Sequence, residues 1–231
     1  MLREMNPNVA IAYRYLLKGI MSFEFEPGRA IVDSQIAKQL DMSRAPVREA
    51  VLQLVTDGMV QSVDGRMTVT PINIDDIVDI IHVRSALETE CFRMIDQNGW
   101  LTPEQEETLV RIHRQMSESS DTDSISEHYK YDDAFHAEIV NAAHSPRFTA
   151  ITEQMRMQMQ RARWLTITIP SRRQESAREH QAILDAILRH SLSDAQDAMR
   201  LHLVNCQCAF RRVLDSKQTK QMVKAIGCFL D

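Results

Sequence analysis

The chain has 231 residues, 44% hydrophobic and 26% charged, enough to bury a core in one large or two ordinary domains. No apolar run approaches a membrane span, the N-terminus lacks the apolar core of a signal peptide, and Cys91, Cys206, Cys208 and Cys228 form no CxxC pair, so a cytoplasmic protein with reduced thiols is expected. The net charge of −5 excludes any argument from overall basicity. Residues 1–71 hold eight Lys/Arg and eight Asp/Glu, which leaves the whole −5 on the remainder.

In chain order, residues 8–22 predict a first helix with Val9, Ala12, Leu16 and Ile20 on one face. Phe23 to Ile31 reads as a turn around Pro27-Gly28. The stretch from Asp33 to Val60 then predicts two short helices and a tight turn. Asp33 is placed to cap the first, whose apolar stripe is Ile36, Ala37 and Leu40. Ser43 is placed to cap the second, with Pro46 in the first turn, where its missing N–H costs little. Val47, Val51, Leu54 and Val55 give that helix one apolar face, and Gly58 ends it. Alternation on both sides of Asp64-Gly65, in MVQSVDGRMTVTP, is the signal of a two-stranded hairpin. A helix, a helix-turn-helix and a β-wing make a winged-helix DNA-binding domain. Arg44 and Arg48 lie one turn apart at the end that enters a major groove, where arginine reaches phosphates or guanine. The plainer alternative is a helical hairpin with two solvated arginines. The expected DNA-facing set is Ser34, Ser43, Arg44, Arg48, Gly65 and Arg66.

Glu26-Pro-Gly-Arg, Ile36-Ala-Lys-Gln-Leu, Met42-Ser-Arg-Ala-Pro-Val-Arg-Glu-Ala-Val, Leu54 and Gly58-Met-Val occur in this order. Together they resemble the N-terminal domain of GntR-family transcription regulators, over roughly the first third of the chain. The resemblance implies double-stranded operator DNA as a partner. A homodimer on a short palindrome follows, because one recognition helix covers too few base pairs.

Thr70-Pro71 marks a boundary between a DNA-binding domain, 1–71, and a second domain, 72–231. Asn73 is placed to cap the next helix. Helices are expected near 74–98, 103–119, 124–143, 146–165, 172–190 and 193–214, with a weaker one at 217–229. The only strand-like scrap is Thr166–Ile169. The fold is therefore mainly α, a winged helix-turn-helix followed by an all-α bundle.

In that bundle, polar residues interrupt apolar stripes. Asp132 and His136 share a face with Ile139 and Ala143; His180 lies in line with Leu184 and Ile187; His202 lies in line with Ala195, Ala198 and Cys206. Any one of them can be a core histidine bonded to a carbonyl. Three histidines and a carboxylate facing inward on one bundle suit a divalent metal better. Asp133 is the competing carboxylate, offset by about 100° around the helix. Cys206-x-Cys208 reads as packing.

Tyr131-Asp132-x-x-x-His136, with Ile139-Val-Asn-Ala-Ala, resembles the effector domain of the FadR-type subfamily. So does Glu179-His180-x-x-Ile183-x-x-Ala186-Ile187, followed by Asp194-Ala195-x-x-Ala198-Met199-x-x-His202-Leu203. In metal-binding members an Asp and three His hold these places. The resemblance thus implies Asp132, His136, His180 and His202 as ligands of a divalent metal, zinc first and nickel or manganese as alternatives. It departs at Ser145, where the family often has Asn. Arg84 shares a face with Ile77, Ile81, Glu88 and Cys91; it either pairs with Glu88 four residues on or forks onto the carboxylate of a small organic-acid effector. Arg161, Arg163 and Arg172 are further candidates.

The expected function is a ligand-responsive transcription regulator rather than an enzyme. The alternative is a metal-dependent hydrolase fused to a DNA-binding module, against which stands the absence of an HExxH pair or a spare inward acid beside His180 or His202. A purely structural metal is a third reading.

Overall fold

The computed structural model describes residues 6–121, 124–167 and 169–214, which fall into two compact units meeting in sequence at Asn73 and Ile74. In the first, α1 (Pro7–Met21) opens with proline at its first position and Asn6 as its cap, the Asn6 Oδ1 accepting from the N–H of Asn8 at 3.0 Å. Val9, Ala12, Leu16 and Ile20 are buried to within 1%. Tyr13 on the same helix donates its hydroxyl to Asp57 Oδ2 at 2.7 Å, tying α1 to a residue 44 positions on.

Next come α2 (Asp33–Gln39) and α3 (Arg44–Thr56), with Ile36, Ala37, Val47, Val51 and Leu54 turned inward. Both expected side-chain caps are corrected. Asp33 is the first helical residue, its predecessor Val32 holding the cap position, while Ser43 holds the cap position of α3 without a side-chain bond. A carboxylate in the first turn still complements the helix dipole.

The wing is β1 (Val60–Val63) paired antiparallel with β2 (Arg66–Val69), Val63 opposite Arg66, so the turn is the two residues Asp64-Gly65. Both have positive φ, 49° and 75°, as a primed turn needs. Residues expected only as a turn also join the sheet: the N–H groups of Gly28 and Ile31 donate to Val69 and Met67 at 2.8 Å, and the Val69 N–H donates back to Arg29.

The second unit is a bundle of α4 (Ile74–Gln97), α5 (Pro103–Asp121), α6 (Ile125–Ala142), α7 (Pro146–Ile167), α8 (Pro170–Leu188) and α9 (Leu192–Leu214). Its core includes Ile81, Phe92, Leu109, Met116, Phe135, Ile139, Ile183 and Leu203. Thr166 and Ile167 lie in α7 rather than a strand, the Thr166 hydroxyl donating to the Arg163 carbonyl at 2.9 Å; burial of Thr166 overrides its β-branched preference. Pro170 takes the first position of α8. The expected helix at 217–229 and the side chain of Arg161 lie outside the described residues.

Candidate functional site

Asp132 and His136 stand one turn apart on α6, because a spacing of four returns to the same helix face. His180 on α8 and His202 on α9 complete the group. All four are buried, and one ligand atom from each lies within 4.8 Å of every other. His180 Nε2 is 3.2 Å from His136 Nε2 and 3.5 Å from Asp132 Oδ1. Donors bound at about 2.0–2.2 Å from one centre stand about 3–3.6 Å apart, so these separations suit a single ion.

The decisive feature is which imidazole nitrogen faces inward. His136 Nδ1 is held by Glu88 Oε2 at 2.6 Å, His202 Nδ1 by Glu179 Oε2 at 2.8 Å, and His180 Nδ1 by the Ser176 carbonyl at 2.7 Å. Each outer nitrogen must donate to its oxygen, which leaves Nε2 as the inward lone pair. In neutral rings, the Nε2 atoms of His136 and His180 then confront each other without a hydrogen between them. A cation between them satisfies both lone pairs at once.

For His180 and His136 the electrostatics agree with neutral rings, while His202 departs from them. Burial pushes His180 well below the ordinary histidine range, and the neighbouring imidazoles push it further. His136 is also lowered by burial, with Glu88 opposing. His202 moves the other way, up to about 9, because Cys206 and Glu179 outweigh burial. Burial would raise both outer carboxyls, yet Arg84 and His136 hold Glu88 far below the usual range, and His202 and Arg172 hold Glu179 at about 2.

Arg84 bonds Glu88 Oε1 through Nε at 2.7 Å, so its i, i+4 pair is formed while its guanidinium lines two neighbouring cavities. Of these outer carboxylates, Glu88 was legible as an inward acid beside Arg84; its bond to His136 and the role of Glu179 behind His202 were not. The expectation of no spare inward acid beside His202 is corrected by Glu179, which reaches across from α8 and is gripped by both terminal nitrogens of Arg172 at 2.8 Å. The spacing of seven between Arg172 and Glu179, two helical turns, was the available signal. Asp133 stays out of the group and pairs with Arg156 and Arg163, while Arg163 also pairs with Asp132. A cavity of about 20 Å³, room for an ion or one water, touches Asp132, His136 and His202. A larger one of about 240 Å³ adjoins His136, Arg84 and Arg163.

In the first unit, Ser34, Arg44, Arg48, Gly65 and Arg66 line one open cleft of about 560 Å³ between helix-turn-helix and wing. Ser43 lies outside that lining but is exposed beside Arg44.

A winged helix-turn-helix followed by a helical bundle with a buried Asp/His cluster defines the class: a DNA-binding transcription regulator carrying a separate effector domain. Comparison with known proteins agrees. The profile of the bacterial regulatory proteins of the gntR family matches residues 9–69, and that of the FCD domain matches residues 79–205, more than half of the chain. The chain belongs to the GntR family, in the branch that carries an FCD effector domain. The HTH-type transcriptional regulator YdhC of Bacillus subtilis is 26% identical over 82% of this chain and 85% of its own length. The HTH-type transcriptional repressor RspR of Escherichia coli is 22% identical, covering 91% and 93%. Among solved structures, Escherichia coli McbR/YncC shares the fold at a TM-score of 0.74 and 19% identity, over 91% of this chain and all of that one. These families and relatives are transcription regulators, not enzymes, which removes the hydrolase alternative. No helix among the described residues is long and apolar enough to cross a membrane.

Proposed function

We propose that this regulator is a cytoplasmic homodimer whose second domain, 72–231, binds a small organic acid through a divalent metal and thereby adjusts operator binding by the first, 1–71. Asp132, His136, His180 and His202 hold the metal, zinc first and nickel or manganese as alternatives. When bound, the metal supplies a Lewis-acidic centre for the effector's carboxylate. The observation that carries this reading is the convergence of Asp132, His136, His180 and His202, one ligand atom of each within 4.8 Å of every other, with each imidazole fixed from behind through Nδ1.

The rest falls to the protein's own groups. Glu88 and Glu179 fix ring orientation and keep their histidines basic. Arg84, which lines the adjoining cavity, offers its remaining N–H groups to the effector carboxylate. In the first domain, Arg44 and Arg48 read or grip the major groove, Ser34 and Ser43 bond phosphates beside it, and the Gly65 turn delivers Arg66 to the backbone or minor groove. Effector binding biases the placement of the two recognition helices, and so the affinity for a palindrome.

The test is operator-binding anisotropy of metal-loaded and metal-stripped protein, each titrated with a panel of carboxylic acids. An acid that shifts operator affinity only in the loaded protein, with the response lost in His180→Ala, supports the proposal. Equal responses in both forms overturn the metal's part in it.

A further inference from the structure

Helix α7 carries Thr149, Thr152, Arg156, Arg163 and Thr166 at spacings of three, four, seven and three, so one face of it is polar. Threonines inside helices ordinarily discharge their hydroxyls on a carbonyl one turn back. Four among the described residues do so: Thr56 to Leu52 at 3.3 Å, Thr89 to Ser85 at 2.6 Å, Thr149 to Ser145 at 3.2 Å and Thr166 to Arg163 at 2.9 Å. Thr152 does not. It is 6% exposed, and its hydroxyl has no hydrogen-bond partner among the described residues. Leaving a buried hydroxyl unpaired costs stability, so the group is explained if it serves something that is not part of the chain.

Thr152 lines the 240 Å³ cavity that begins at His136. The α6 wall of that cavity runs from His136 to Asn141, five residues and therefore about 7–8 Å along the helix. A carboxylate at the metal end would direct the body of its molecule along this wall, and four to six carbons span it. Threonine has two accessible χ1 rotamers in a helix, so a change of rotamer is open to it in presenting the hydroxyl to such a ligand.

The charges lining the cavity narrow the chemistry. Its two carboxylates are already engaged, Glu88 by Arg84 and His136 and Glu153 by Arg156. Its arginines are matched as well, Arg156 by Asp133 and Arg163 by Asp132 and Asp133. Neither an uncommitted anion for an ammonium nor an uncommitted cation for a second carboxylate lines this wall. What remains is a neutral hydrogen-bonding group.

We propose that Thr152 reads a hydroxyl on the effector, which is a short hydroxy-monocarboxylate. This rests on the reading that a carboxylate is held at the Asp132–His136–His180–His202 centre, and calorimetry on metal-loaded, full-length protein separates the two claims. The probes are butyrate, 4-hydroxybutyrate, 4-aminobutyrate and succinate, which share a four-carbon chain. The expected result is 4-hydroxybutyrate about tenfold tighter than butyrate, the worth of one neutral hydrogen bond, with the amine and the diacid no tighter than butyrate. Thr152→Val should erase the hydroxyl preference while keeping butyrate affinity and metal content; Thr152→Ser should restore it. Equal binding of butyrate and 4-hydroxybutyrate by the wild type, tighter binding of the amine or diacid, or an intact preference in Thr152→Val overturns the proposal. If butyrate itself fails to bind the loaded protein, the carboxylate reading falls and takes this one with it.

Discussion

Replacing Glu88 with glutamine isolates the charge that orients His136. Glu88 is fully buried and bonds two donors at once, Arg84 Nε at 2.7 Å and His136 Nδ1 at 2.6 Å. Glutamine keeps the shape but offers one accepting oxygen, its other arm being a donor. Either the imidazole loses its anchor or the buried guanidinium loses its counter-charge. Losing the anchor should weaken metal binding about 10–100-fold, the usual cost of removing an outer partner of a ligating histidine. Stranding Arg84 should destabilise the metal-free protein by about 3–5 kcal/mol, as breaking a buried pair does. Competition against a chromophoric chelator measures the first quantity, and urea unfolding of stripped protein the second. Asp133→Asn is the control, since Asp133 faces Arg156 and Arg163 rather than a ligand histidine; its metal affinity should change less than threefold. A Glu88→Gln protein with wild-type metal affinity and wild-type stability would refute the orientation argument.

Other outcomes follow from the same geometry. Arg44→Ala and Arg48→Ala should each weaken operator binding while leaving the fold intact: a base contact costs about 1–3 kcal/mol and relaxes one position, a phosphate contact weakens all sequences alike. Anisotropy on matched and scrambled operators distinguishes these, and unchanged affinity in both variants removes the recognition-helix assignment. Gly65→Val forces a β-branched residue to φ 75° at the wing tip, so DNA affinity should fall more than thermal stability; global unfolding would mean the hairpin is not peripheral. His128 is fully buried, and burial holds its pKa down to about 4, below its unfolded value of about 6.5. The unfolded chain therefore takes up the proton first. This contribution is fully present above pH 6.5 and is lost as the pH falls to about 4, a change of about 3 kcal/mol. The stability gap between wild type and His128→Leu should narrow by about that much between pH 7 and pH 4; a constant gap contradicts it.

Much of this architecture was legible because periodicity reports burial directly. Val9, Ala12, Leu16 and Ile20 recur at helical spacing and are the buried face of α1. Asp64-Gly65 was legible because few residues accept two consecutive positive φ angles. Helix ends were less so: Asp33 suits both the cap and the first turn, and composition does not separate them. The pairing of residues 28–31 with β2 was invisible because three hydrogen bonds leave no alternation to read. At the centre, each polar residue on an apolar stripe could be found helix by helix. Its partners could not. Glu179 precedes His180 and so points off that residue's stripe, and only the packing of α8 on α9 brings it to His202. Likewise the Arg84–Glu88 spacing was readable, but the second oxygen of Glu88 serves a histidine 48 residues away.

The central claim is that one divalent metal is held by the four converging side chains. Elemental analysis of untagged protein, followed by titration of stripped protein with zinc, nickel and manganese against a competing chelator, tests it most directly. One equivalent per chain is expected in the wild type, sharply weakened in Asp132→Ala, His136→Ala, His180→Ala and His202→Ala, and little changed in Asp133→Asn. A wild type that takes up no metal in either measurement, or uptake that survives all four alanine substitutions, would contradict it.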